Sequence, residues 1–169
     1  DLDLFKPSNN NQEYNVGTIK SIEDYNGIDC LIDAAKLVTK DYNKNIYFYI
    51  VGDGSLKKEM QQKVKNLQIE DKIKFEGFVE HENVTKYYNN LSIFVAVSRR
   101  ESFGVSILEA ASCGIPSITS NIGGLTEVNI NNETGVVINP DDPEKLADSI
   151  IKLYEQKELR LKLGKNARK

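Results

Sequence analysis

At 169 residues with 40% hydrophobic side chains, the chain can fold one domain around a real core without disulfide or metal support. Its formal charge of −3 is not the footprint of a nucleic-acid binder, and no apolar run reaches the length of a membrane span. With His81 the single histidine, the sequence argues against a His-based metal site or a Ser–His–Asp triad, and the isolated Cys30 and Cys113 read as buried, reduced thiols of a cytosolic protein.

Residues 1–12 read as a linker, because Pro7 followed by Ser8 and Asn9 to Asn11 holds no packed element. The opening "DLDLFKPSNNN" has none of the marks of a signal peptide. Residues 13–169 alternate short apolar runs with helical patterns. Tyr14–Ile19 reads as a strand and Ile28–Lys40 as an amphipathic helix. Ile46–Gly52 ("IYFYIVG") is almost continuously β-branched and aromatic, as expected of a strand covered on both faces. A turn at Gly52-Asp53-Gly54 and a Ser55 cap start the next helix, Leu56–Leu67. Ile73–Gly77 is a strand, Glu82–Asn90 a helix and Ser92–Val97 another buried strand. After the segment Glu101–Glu109 come strands at Pro116–Ser120 and Gly135–Asn139, with a turn at Gly123-Gly124 between them. Asp142 at the cap and Pro143 in the first turn open a further helix, and "KELRLKLGKNARK" is helical with a solvated basic face. Such alternation specifies an α/β domain: a parallel sheet with helices on both faces.

Sheets of this kind bind ligands at the carboxyl ends of their strands, so the chemistry is sought in the turns that follow strands. In "SRRESFGVSILEAASCG", Gly104 lets the backbone approach a ligand closely, and the helix from about Val105 presents unpaired N–H groups. Together they make an anion site suited to a diphosphate. Glu109 lies on the helix face shared with Val105 and Ser106. Helical side chains lean toward the N-terminus, so its carboxylate points back at that site. A carboxylate is a poor phosphate ligand but takes two hydroxyl protons from a vicinal diol, and a ribose lies one ester bond from a diphosphate. Glu101 stands on the far side of the phosphate, beside whatever the diphosphate carries. On spacing alone the alternative is as good: Glu101 caps its loop and Glu109 pairs with a surface lysine. Gly123-Gly124 is either a second wall of the same site or an ordinary turn, and Gly52-Asp53-Gly54 needs no ligand to explain it. "GTIKS" after the first strand is not a G-x-G-x-x-G run, which argues against a dinucleotide fingerprint.

The segment "ESFGVSILEAASCGIPSITSNIGGLTEV" resembles the E-x7-E region of the retaining glycosyltransferases of family 4, which have the GT-B fold. "VGTIKSIEDYNGIDCLIDAA", "IVGDGSLKKEM" and "FEGFV" resemble that family's first three strand units, and "NNETGVVINPDDPEKLADSI" its late turn and helix. The similarity therefore covers nearly the whole chain. It implies a Rossmann-like domain, the C-terminal half of a GT-B enzyme, that binds a nucleotide-sugar donor. Residues 1–12 would be the interdomain linker, an N-terminal acceptor-binding domain would lie upstream, and the final crossing helix would be cut short. The implied reaction is hexosyl-type transfer with retention, in the cytoplasm, serving polysaccharide biosynthesis. It needs no metal or other cofactor and no nucleic acid. The resemblance leaves room for peripheral attachment of the full-length enzyme to the inner face of a membrane, and the isolated domain is expected to be inactive alone.

By position, Glu109 would hold the ribose hydroxyls and Glu101, the catalytic residue, would contact the donor sugar near its reacting end. Ser102, Phe103, Gly104 and Val105 would offer backbone to the diphosphate, and Phe78 and Val79 would lie beside the base. Gly123 and Gly124 would line the sugar and phosphate, and Gly17 matches the family's first-strand glycine on the donor side. One departure stands out. The family usually places an arginine just after that glycine and a lysine just before the helix glycine, whereas Thr18 and Asn26 stand here. Lys20 in the same loop, or Arg100 beside Glu101, is expected to supply the charge, and Arg99 and Arg100 are not expected both to face inward. Two other readings stay open: a GT-B nucleotide-sugar 2-epimerase, and a non-enzymatic nucleotide-binding module for which Glu101 would be dispensable.

Overall fold

The computed structural model describes Phe5 and residues 13–169. Strands β1 (Asn15–Ile19), β2 (Tyr47–Val51), β3 (Ile73–Gly77), β4 (Ile93–Ala96), β5 (Ser117–Ser120) and β6 (Gly135–Ile138) form one sheet. Their order is β3-β2-β1-β4-β5-β6, and every pairing is parallel. Winding runs outward from β1 in one direction and from β4 in the other, so it reverses between these two strands. The helices are α1 (Ile28–Lys36), α2 (Lys57–Asn66), α3 (Val84–Asn89), α4 (Val105–Ser112), α5 (Leu125–Val128), α6 (Pro143–Glu155) and α7 (Lys157–Ala167).

The helices cover both faces of the sheet, with α6 crossing back to join α1 and α2. Ile32 of α1, Met60 and Val64 of α2 and Leu146 and Ile150 of α6 pack with Val16, Phe48 and Ile50 on one face. Val84 and Tyr88 of α3, Ile107 and Ala110 of α4 and Leu125 of α5 pack with Phe94 on the other. The result is a Rossmann-like α/β domain. Each fully buried aliphatic side chain contributes about 1.5–3 kcal/mol to its cohesion.

Local differences from the sequence pattern have identifiable causes. The helix from Ile28 holds to Lys36, then widens into a π turn over Leu37–Asp41. Within that turn the Thr39 hydroxyl bonds back to the Ala35 carbonyl at 2.8 Å, a contact that bends helices. Ser55 does not cap α2, which begins without a side-chain cap; its backbone N–H and hydroxyl instead donate to the Glu23 carboxylate. β2 is covered unequally: Phe48 and Ile50 are buried, but Tyr47 and Tyr49 are half-buried, because α3 on their side has 6 residues. α5 stands where the pattern shows only a glycine turn. Asp142 does cap α6, accepting from the Lys145 N–H at 2.9 Å. The linker expected over residues 1–12 lies outside the described residues except for Phe5, which is buried with its ring 6.0 Å from that of Tyr88. Cys30 and Cys113 are free and buried. Burial pushes their thiols up to about 12 and about 11, which makes them poor nucleophiles.

Candidate functional site

Where winding reverses, the loops leaving two neighbouring strands diverge and open a crevice at the carboxyl edge. Here that edge carries Lys20 after β1, Glu101 after β4, Gly123-Gly124 after β5 and Phe78-Val79 after β3. The Lys20 ammonium is ion-paired with Glu101 Oε2 and donates to Ser98 Oγ at 3.3 Å. The Ser98 hydroxyl donates to Asn26 Oδ1 at 3.4 Å, and Asn26 Nδ2 donates to the Ser21 carbonyl and hydroxyl, both at 2.9 Å. Asn26 is thus a buried brace of the β1 loop, and Thr18 is buried within the sheet. Glu101 Oε1 accepts from the Ser102 N–H at 3.2 Å. Burial works to raise the Glu101 pKa, but the Lys20 ammonium and the Ser102 and Phe103 N–H groups outweigh it and hold the carboxyl below its usual range. The two side chains are partly hidden from water and locked to each other.

The adjacent arginines diverge. Arg99 donates to Asp29 Oδ2 and Asp141 Oδ1, each at 2.7 Å, and to the Asp24 carbonyl. It therefore ties the β4–α4 loop to α1 and to the turn before α6. Arg100 stays exposed, its guanidinium 5.5 Å from the centre of the Tyr25 ring. With Tyr25, Asn26, Glu101 and Ser102 it lines an open cleft of about 540 Å3. On the other side of Lys20, Phe78 and Val79 line a cavity of about 250 Å3 together with Ile19, Val51 and Asp53.

Gly104 caps α4 at φ +85°, a left-handed conformation that only glycine enters without strain. It directs the first-turn N–H groups of α4, with their partial positive charge, at the crevice. A side chain at Gly123 would come within 2.3 Å of the Glu101 carbonyl oxygen, and one at Gly124 within 2.4 Å of that of Ser102. The glycine pair therefore lets the β5–α5 turn lie flat against residues 101–103. Gly17 is placed differently. It sits inside β1, where a side chain would meet Leu91 at 2.7 Å and the Tyr49 carbonyl at 2.9 Å, so its role there is close packing.

Glu109 stands five residues past Gly104, about 7.5 Å further along the helix axis at 1.5 Å per residue. Its Oε2 accepts from the Tyr88 hydroxyl at 2.8 Å, and its Oε1 lies 3.7 Å from His81 Nδ1. Among the described residues it has no lysine partner. Three neighbours of the site are not marked as such by the sequence pattern: Tyr88 and His81 around Glu109, and Tyr25 beneath Arg100. For Tyr88 a signal existed, since it follows Val84 by four positions on the buried stripe of its helix and a buried tyrosine hydroxyl needs a partner.

These features can be set against known proteins. Residues 1–169 match the family model described as glycosyl transferases group 1. N-acetyl-alpha-D-glucosaminyl L-malate synthase of Bacillus anthracis is 37% identical over 134 residues, covering 79% of this chain and 34% of that enzyme. The crystal structure of the C-terminal domain of a group 1 glycosyl transferase (LpcC) from Francisella tularensis matches with a TM-score of 0.90 and 27% identity. That match covers 99% of this chain and 94% of the other. A variant of TarM from S. aureus, solved in complex with fondaparinux, alpha-GlcNAc-glycerol and UDP, matches with a TM-score of 0.90 and 27% identity over 96% of this chain and 33% of that one. The chain spans about a third of the length of the malate synthase and of TarM. The sheet order and its two helical layers are those of the C-terminal domain of a GT-B fold. From the end-to-end family match and the shared architecture, the chain belongs to the glycosyl transferases group 1 family.

Proposed function

We propose that this chain is the donor-binding domain of a retaining glycosyltransferase and that it holds a nucleoside-diphosphate sugar across the β1/β4 crevice. One observation carries the reading: the four different chemistries that such a ligand requires gather around one sheet edge. The Phe78–Val79 cavity takes the base, and Glu109 accepts the ribose hydroxyls. The α4 N-terminus, from Ser102 to Val105, and Lys20 take the diphosphate. Glu101 meets the sugar near its reacting end, with Gly123 and Gly124 as the facing wall. The UDP held by the TarM variant of the same fold supports this class of ligand.

The chemistry asked of these groups is mainly electrostatic. As the bond from the anomeric carbon to the diphosphate breaks, its electron pair moves to the phosphate oxygen, where the α4 N–H groups and Lys20 stabilise the growing charge. The acceptor hydroxyl attacks from the face the diphosphate leaves and passes its proton to the departing phosphate oxygen, so no side chain serves as nucleophile and configuration is retained. Pairing with Glu101 keeps the Lys20 ammonium fixed before the ligand arrives, so little ordering entropy is lost on binding. We assign acceptor recognition to the additional length that the relatives carry.

A thermal-shift panel of uridine, guanosine and adenosine diphosphates, with and without their sugars, tests the reading. Ligand at a hundred times its dissociation constant stabilises a fold by about 2.7 kcal/mol. For a domain of this size that is a rise of roughly 5–10 °C. One base should dominate, and its sugar conjugate should bind better than the bare diphosphate. No shift with any diphosphate would refute the proposal, and a shift indifferent to the sugar would favour a plain nucleotide-binding module.

A further inference from the structure

The Glu109 carboxylate has two unequal oxygens. Oε2 is taken by the Tyr88 hydroxyl at 2.8 Å, whereas among the described residues Oε1 accepts no hydrogen bond and the nearby His81 Nδ1 stands at 3.7 Å, beyond hydrogen-bond length. The Tyr88 ring is fully buried, wedged between Phe5 and Phe94 with centroids 6.0 and 5.5 Å away. Its hydroxyl also lies 3.1 Å from the Ser106 carbonyl, one turn before Glu109 on the same helix. The donor is therefore anchored both to the core and to the backbone that carries its acceptor. Burial, and after it the Glu109 carboxylate, raise the Tyr88 pKa well above its ordinary value, so the hydroxyl keeps its proton and acts as a donor.

We infer that Tyr88 is a positioning residue for donor binding: it fixes the Glu109 carboxylate in one rotamer and leaves Oε1 directed at the ribose. The inference rests on the reading that Glu109 holds the ribose. A glutamate without this anchor would sample several rotamers and would have to be ordered by the ligand, at a cost of about threefold to tenfold in affinity. A tyrosine that merely filled the core and satisfied its own hydroxyl would leave ribose recognition untouched.

The test compares the wild-type chain, Glu109→Ala, Tyr88→Phe and the double variant by calorimetry. The probes are uridine, adenosine and guanosine diphosphates, each beside its 2′-deoxy form. The wild type should prefer the ribose form of its nucleotide about tenfold or more, and Glu109→Ala should lose that preference. Tyr88→Phe keeps the ring and should shrink the preference about threefold or more, while adding Tyr88→Phe to Glu109→Ala should change it no further. If Glu109→Ala discriminates like the wild type, the ribose reading falls and this inference with it. If Glu109→Ala loses the preference while Tyr88→Phe retains it in full, the ribose reading stands and the positioning role is overturned. Tyr88→Phe that weakens both forms equally is a structural loss and likewise overturns it. Should Tyr88→Phe melt too low to assay, the ribose-to-deoxyribose ratio of the Phe5→Leu variant, which loosens the ring but keeps the hydroxyl, takes its place: an unchanged ratio overturns the role, a reduced one supports it.

Discussion

Removing the Lys20 ammonium is the perturbation with the most to say about the site. Its side chain is 9% exposed and that of Glu101 21%, so the pair is partly hidden from water, and Lys20→Ala strips Glu101 of its counter-charge. What remains are the N–H groups of Ser102 and Phe103, which keep the loop formed. The fold should lose about 1–2 kcal/mol, less than the cost of breaking a fully buried pair. Binding should suffer more. A charge-assisted hydrogen bond is worth about 1.5–3 kcal/mol, so affinity for the nucleoside diphosphate should fall about 10- to 150-fold. The unpaired Glu101 carboxylate adds repulsion and favours the upper end of that range. Affinity for the bare nucleoside should change less than about twofold, because it carries no phosphate for Lys20 to meet. Titration calorimetry at two salt concentrations measures both ligands, and the variant should show the shallower salt dependence. The double variant Lys20→Ala, Glu101→Ala should recover part of the loss. Equal diphosphate affinity in variant and wild type would refute the reasoning and pass the role to Arg100.

Gly124→Ala should destabilise the fold by about 1–3 kcal/mol and weaken donor binding, because its methyl would press on the Ser102 carbonyl from 2.4 Å; an unchanged melting temperature would show that the β5–α5 turn can yield. Arg99→Ala should cost about 1–2 kcal/mol at pH 7, since one guanidinium joins Asp29, Asp141 and the Asp24 carbonyl. Burial opposes ionisation of Asp29, but Arg99 prevails and holds its carboxyl below the ordinary value. The stabilisation is therefore complete above the unfolded pKa of about 3.9 and is lost as pH falls through the lower folded one. The melting gap between wild type and Arg99→Ala should narrow below about pH 4, and a gap unchanged in stronger acid would contradict the pairing. The purified 169-residue chain should bind the sugar donor yet transfer no sugar, because transfer needs donor and acceptor held together; enzyme-like turnover by this chain would overturn the division of labour.

What the sequence discloses of this molecule is local. Strands such as β4 and caps such as Asp142 are written in neighbouring residues, through apolar runs and a side chain three positions from its N–H partner. Gly104 and the helix after it are visible for the same reason. Partnerships across the fold are not visible. Lys20 and Glu101 are separated by 81 positions, and their pairing follows from β1 and β4 lying side by side at the reversal of winding. Which of two adjacent arginines is left to line the cleft is decided by the Asp29 and Asp141 carboxylates and the Asp24 carbonyl, which together hold Arg99 away from it. The first-strand glycine illustrates the opposite hazard. Position in a motif places Gly17 with the donor residues, but its surroundings, Leu91 and the Tyr49 carbonyl, are packing. Asn26 likewise occupies a cation's place in the pattern and spends its side chain on the Ser21 and Ser98 hydroxyls.

The measurement that bears most directly on the central claim is a crystal structure of this chain with the best-binding nucleoside diphosphate from the thermal-shift panel. The account predicts diphosphate oxygens at the Gly104–Val105 N–H groups and the Lys20 ammonium, and both ribose hydroxyls within about 2.5–2.9 Å of the Glu109 carboxylate. The base should lie against Phe78 and Val79. A nucleotide bound away from the β1/β4 crevice, or one in the crevice with its ribose turned from Glu109, would contradict it.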